Sequence, residues 1–134
     1  MKLVGIDIAK YKHAAFIMDA STGESLCDPF LFKNNKDGFQ KFYDELNKYT
    51  QDELLIGMED TGHYNFAIES CLLAKGYKVA LINPITTKNL RKASLKTVKS
   101  DKEDAILITK ALLDKDYYRI ISIQDEKLKE AKEL

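Results

Sequence analysis

The stretch Met1–Lys10, MKLVGIDIAK, decides the fold. Leu3, Val4, Ile6 and Ile8 are strand formers, and lysines bound the run. Side chains alternate across a strand, so Leu3, Gly5 and Asp7 share one face while Val4, Ile6 and Ile8 share the other. Asp7 therefore stands near the end of a mostly apolar strand, with Gly5 leaving room beside it. A carboxylate there is costly unless it is paired, hydrogen-bonded or bound to a metal. The plain alternative is a solvated acid at a frayed strand end. The strand alone does not separate the two.

Working outward, His13–Met18 reads as a second strand and Asp19–Glu24 as a turn, with Gly23 free to take positive φ. Ser25–Lys33 reads as a third strand, and Pro29 within it assigns that strand to a sheet edge, because proline cannot donate to a ladder. These three make an antiparallel meander. The period then changes. Phe39, Phe42, Tyr43, Leu46 and Tyr49 predict a helix over Lys36–Tyr49, with Asn34 or Asn35 as its N-cap. Leu54–Met58 is a short apolar strand, and the preceding helix lets it lie parallel to the first through a crossover. A helix over Tyr64–Lys75 ends at Gly76, and Tyr77–Ile82 is a fifth strand closed by Asn83-Pro84. A further helix runs over Asp101–Leu113, and Tyr117–Ile123 looks extended. The order predicts an α/β fold of RNase H-like type. Its mixed sheet has five strands, three antiparallel then two parallel, with helices on both faces.

The 134 residues suit one domain, with 21 basic and 21 acidic side chains leaving no net charge to indicate a partner. Cys27 and Cys71 sit in no motif and read as reduced thiols of a cytoplasmic protein. No apolar run approaches the roughly 20 residues that span a membrane. Two histidines and no Cys/His cluster argue against zinc. The final charged segment, DEKLKEAKEL at Asp125–Leu134, begins an amphipathic helix without a cap. Residues 1–123 are therefore expected to be the domain, and 124–134 the start of a helical linker to a second domain.

Four acids fall at informative places: Asp7 on the first strand, Glu59 at the end of the fourth, and Asp101 and Asp104 at the start of the last full helix. Residues three apart share a helix face. Packed over the two strands, that face would bring the four carboxylates together. Divalent cations would relieve their repulsion, and two metals about 3.5–4 Å apart can drive phosphodiester chemistry. All-oxygen ligands favour Mg²⁺, with Mn²⁺ as a substitute. Each acid also has a plain reading. Ser100-x-x-Glu103 is a capping box, Asp101 complements the helix dipole, and an acid ending a strand is commonly solvated. Asp60 rivals Glu59, since neighbours point to opposite faces and spacing cannot choose between them.

The segment Ile85–Ser100 carries Lys88, Arg91, Lys92, Lys96 and Lys99 without one acid. Such a run can contact phosphates independently of base sequence, or it can be a solvated helix face.

Gly5–Lys10 (GIDIAK), Met58–Tyr64 (MEDTGHY), Asn83-Pro84 and Lys96–Ala105 (KTVKSDKEDA) resemble, in order and spacing, the DEDD transposases of bacterial insertion sequences. That group includes the Piv-like DNA invertases and the bridge-RNA-guided recombinases. The resemblance implies a RuvC-like catalytic domain with Asp7, Glu59, Asp101 and Asp104 as Mg²⁺ ligands. It favours Glu59 over Asp60 through the pattern Glu-x-Thr-Gly-x-Tyr. It also implies DNA as partner, a guide RNA in some members, and a homo-oligomer. Full-length members continue into a second domain with a serine thought to attack DNA, so this segment is expected to lack complete recombinase activity. Rival readings are a Holliday-junction-resolvase-like nuclease and a non-catalytic nucleic-acid-binding module. An actin-like or sugar-kinase ATPase would need a glycine-rich phosphate loop, and none follows Ile8.

Overall fold

The computed structural model describes residues 1–93 and 100–123. A mixed sheet of six strands runs through it in the order β3-β2-β1-β4-β5-β6. The strands are β1 (Lys2–Asp7), β2 (Lys12–Asp19), β3 (Phe30–Lys33), β4 (Leu54–Glu59), β5 (Lys78–Ile82) and β6 (Tyr118–Ile121). The helices are α1 (Lys36–Leu46), α2 (Phe66–Ala74), α3 (Pro84–Ala93) and α4 (Asp101–Ala111).

The meander is present as expected: β1 pairs antiparallel with β2, and β2 with β3. β4 lies parallel to β1, and β5 parallel to β4. The expected five strands become six, because Tyr118–Ile121 adds to β5 as an antiparallel edge. The third strand is shorter than its apolar run. It begins after Pro29, which has no N–H to donate, and only an isolated bridge joins Ser25 to Met18.

The alternation in β1 is realised. Val4 and Ile6 pack with α1 and α2 residues such as Phe42, Leu46 and Leu72 on one face. Leu3 packs with Ala105, Ile108 and Leu112 of α4 on the other. Gly5 permits the closest approach. A Cβ there would lie 2.5 Å from the Thr109 backbone nitrogen and 2.8 Å from the Ala105 carbonyl oxygen. Gly57, opposite Gly5 in the parallel register, meets Leu112 in the same way. Two small residues side by side therefore form the seat of α4.

The caps follow the sequence. The Asn35 carboxamide accepts the Gly38 N–H at 2.8 Å, and the Ser100 hydroxyl accepts that of Glu103 at 3.2 Å. Gly76 takes positive φ after α2. No helix among the described residues is long and apolar enough to cross a membrane.

Candidate functional site

The sheet register decides which acids can meet. Leu3 lies opposite Leu55 and Gly5 opposite Gly57, so the next step on that face sets Asp7 beside Glu59. Both side chains belong to the face covered by α4. Asp60 lies just past the end of β4, where its carboxylate accepts the Gly62 N–H at 3.0 Å. The turn that ends β4 is built by the same motif. Gly62 takes positive φ, and the Thr61 hydroxyl accepts the Tyr64 N–H at 3.1 Å and meets the buried Asn65 side chain at 2.7 Å.

α4 delivers Asp104 to the same place. Asp104 immediately precedes the Ala105–Thr109 segment seated on Gly5, so its position is fixed by core packing. Its Oδ1 accepts a 2.9 Å hydrogen bond from Arg91 Nε, and Arg91 Nη2 donates to Glu59 Oε1 at 3.3 Å. The guanidinium thus joins Glu59 to Asp104. Arg91 was expected among the phosphate-contacting cations, and the structure turns it inward instead. Thr87, fully buried on α3, was not anticipated at all. Its hydroxyl stands between Glu59 Oε1 and the Pro84 carbonyl and shares its single proton between them.

Among the described residues Asp7 has no comparable partner, and its electrostatics show it. Burial first, then the negative charges of Asp104, Asp101 and Glu59, push its carboxyl up to about 7 against the pull of Arg91. Asp101, exposed in the first turn of α4, is near enough to contribute to that repulsion. One arginine therefore bonds two of the acids and acts on a third.

Among the described residues, no three His, Cys, Asp or Glu side chains converge closely enough to hold a metal as they stand. The donor chemistry nevertheless fits a hard divalent cation. The candidate donors are all carboxylate oxygens from β1, β4 and α4, and Asp7 marks where positive charge is lacking. The Arg91 guanidinium stands where such an ion would be drawn.

Of the remaining cations, Lys88 and Lys92 are exposed on α3. Lys96 and Lys99 lie outside the described residues, as does the segment expected to begin a linker at 124–134.

Comparison with known proteins bears on family and fold. A family model described as a transposase, of the DEDD type, matches residues 4–134. The pilin gene-inverting proteins of Moraxella bovis and Moraxella lacunata are each 28% identical over 109 residues, covering 80% of this chain and 33% of the relative. The chain thus spans about a third of those relatives' length. Among solved structures, Thermus thermophilus RuvC superposes with a TM-score of 0.58 at 11% identity, covering 90% of this chain and all of that one. RuvC in complex with a Holliday junction substrate gives 0.57 at 13% identity, covering 81% of this chain and 90% of that one. The expected RNase H-like fold is therefore the fold observed.

Proposed function

Because this chain belongs to the DEDD transposase family, we propose that it is the strand-processing domain of a DNA recombinase, acting through Asp7, Glu59, Asp101 and Asp104. The observation that carries the reading is the gathering of Asp7, Glu59 and Asp104 on one face of the sheet, with Asp7 pushed up to about 7 by its neighbours. A structural ion pair would balance its charges, whereas here the acids outnumber the guanidinium.

Divalent cations, Mg²⁺ or Mn²⁺, would supply activation of a nucleophile and stabilisation of the leaving oxygen of a phosphodiester. The chain's own residues do the rest. α4 holds Asp104 in place through the core, the Glu-x-Thr-Gly turn aims Glu59, and Thr87 fixes the orientation of the Glu59 carboxylate. Asp7, central in the sheet, is the acid that gains most from added positive charge. Arg91 neutralises Glu59 and Asp104 until it is displaced. Lys88 and Lys92, with Lys96 and Lys99 of the same basic run, contact the DNA backbone without reading bases. A guide RNA, assembly into a homo-oligomer and work on DNA in the cytoplasm are part of the same reading.

The test is titration of Mg²⁺ and Mn²⁺ by calorimetry, with and without a short duplex, on the wild type and on Asp101→Asn/Asp104→Asn. Metal binding that the double substitution abolishes supports the four-acid site. Binding that survives it, or none in any condition, overturns the site and returns Asp101 to helix capping.

A further inference from the structure

The β1–β2 connection carries a feature that neither the acids nor α3 use. Tyr11 is 75% exposed, more than any other large apolar side chain among the described residues. Its exposure is not that of a loose loop. The Asn34 N–H donates to the Tyr11 carbonyl at 2.8 Å, and the Asn34 side-chain amide donates to the Lys10 carbonyl at 3.0 Å. The Ala9 N–H donates to Nδ1 of the fully buried His13 at 3.1 Å. Three hydrogen bonds thus hold the backbone of the connection while it presents an aromatic ring to solvent.

One cation stands against that ring, and two more lie at the neighbouring end of β2 and β3. Lys10 Nζ stands 5.1 Å from the Tyr11 ring centroid. Lys12 lies directly opposite Lys33 in the β2–β3 register. Like charges facing each other across strands are destabilising. Among the described residues no ion pair joins Lys10, Lys12 or Lys33 to a carboxylate. Lys12, Lys33 and Lys41 line a cleft of about 330 Å³ with one acid, Asp37, and Lys41 is engaged by the Leu31 carbonyl.

The position of the pair relative to the acids is set by the sheet. Asp7 lies opposite Ala14, and Ala14 opposite Leu31, in one row on the α4 face. Lys12 and Lys33 form the next row on that face, about 7 Å further along the strands. With strands about 4.8 Å apart, Lys12 is one strand and Lys33 two strands from Asp7. The acids are therefore flanked by cations on both sides, by α3 across β5 and by this pair across β2 and β3.

We propose that Tyr11, Lys12 and Lys33, with Lys10, form a subsite for an unpaired stretch of nucleic-acid strand leading into the acid site. Tyr11 stacks on a base, and Lys12 and Lys33 share a phosphate whose charge removes their repulsion. An exposed ring beside cations suits an unpaired strand, because a base inside a duplex offers no free face for stacking. The subsite rests on the reading of the acids as a strand-processing centre, and it concerns residues that centre does not use.

The experiment is fluorescence anisotropy on the 134-residue chain with labelled oligothymidylate, oligouridylate and a blunt duplex, across a range of salt. Variants are Tyr11→Ala, Lys12→Gln/Lys33→Gln and, as reference, Lys88→Gln/Lys92→Gln. All are surface changes, and thermal melts check that each folds. Tyr11→Ala is expected to weaken single-strand binding about tenfold and leave the duplex unchanged. The Lys12/Lys33 pair is expected to reduce the single-strand salt slope by about 0.7 for each lysine that meets a phosphate. Preference between the thymidylate and uridylate arms identifies the strand as DNA or RNA. If the wild type binds and only the Lys88/Lys92 variant loses affinity, the subsite is overturned while the proposed function stands. If the wild type binds none of the three, with or without Mg²⁺, both are overturned.

Discussion

Helices α3 and α4 lie on the same face of the sheet, and each brings two side chains to the candidate site, yet they are held there by different means. α4 buries Ala105, Ile108, Thr109 and Ala111, and settles onto Gly5 without a gap. α3 buries one residue, Thr87, leaves Ile85 65% exposed, and rests on the sheet through Leu90 and through the contacts of Thr87 and Arg91 with acids. Asp104 is thus positioned by apolar packing, which ionic conditions barely alter. Arg91 is positioned by the very carboxylates that a cation would claim. The acid scaffold is the fixed half of the site and the basic helix is the half free to respond.

The most forceful way to break this contrast is to disturb the seat of α4. In Gly5→Ala the new methyl would meet backbone atoms of Thr109 and Ala105, as well as the Thr109 hydroxyl, and none of these is a flexible tip. Overpacking of this kind costs about 3 kcal/mol. The melting temperature should fall by roughly 10 °C. Because the displaced helix carries Asp104, metal titration of the folded fraction should weaken as well. A melt within a degree or two of wild type would show that α4 is not seated as tightly as described.

A smaller effect of opposite sign is expected at Asp7. Its folded-state carboxyl titrates at about 7 and the ordinary value is 3.8, so the folded protein keeps this proton to higher pH than the unfolded chain. Stability from this group is therefore complete below 3.8 and is lost as pH rises through about 7. Asp7→Asn, which never ionises, should be more stable than wild type at pH 8 without divalent metal. The gain should be about 1–2 kcal/mol, well below the full linkage value because the carboxyl is still partly solvated. The difference should vanish in acid. A gain independent of pH in chemical denaturation would mean that Asp7 does not bear the surplus charge.

Arg91→Gln tests the other half. If the guanidinium occupies the place of a cation, its removal should tighten Mg²⁺ binding several-fold, about 1 kcal/mol, with little change in melting temperature. Weaker metal binding in calorimetry would show instead that Arg91 assembles the acids.

The contrast also explains what the sequence allowed to be read. Period-two alternation in β1 separated the two faces of the strand, and the capping candidates, Asn34 or Asn35 and Ser100, marked their helices, because these are local properties. The choice between Glu59 and Asp60 was not local. What bears on it is Leu3 facing Leu55 across the parallel register, a pairing of residues far apart in the chain, which sets Glu59 on the side of Asp7. β6 was visible as an extended run but not as part of the sheet, since its middle residues Arg119 and Ile120 are exposed and carry no burial pattern. The third strand reads as longer than it is because the apolar residues around Pro29 imitate a strand that its backbone cannot complete. Arg91 looked like any other cation of the basic run. Only the packing of α3 against α4 and the end of β4 gives it partners 13 and 32 residues away.

The smallest effect on stability is expected from the outward cations of α3, and it sharpens the comparison most. Lys88 and Lys92 sit one turn before Arg91 and just after it, yet both are exposed, so Lys88→Gln/Lys92→Gln should change stability by no more than about 0.5 kcal/mol. Duplex affinity should fall, and the slope of log K against log salt should decrease by about 0.9 for each phosphate no longer neutralised. On one short helix, then, neighbouring cations would differ in kind. The inward arginine would govern metal affinity, and the outward lysines would govern salt-dependent binding. If the two lysines also shifted Mg²⁺ affinity as strongly as Arg91→Gln, the helix would be acting through its summed charge, and the distinction drawn from the Arg91 hydrogen bonds would fail.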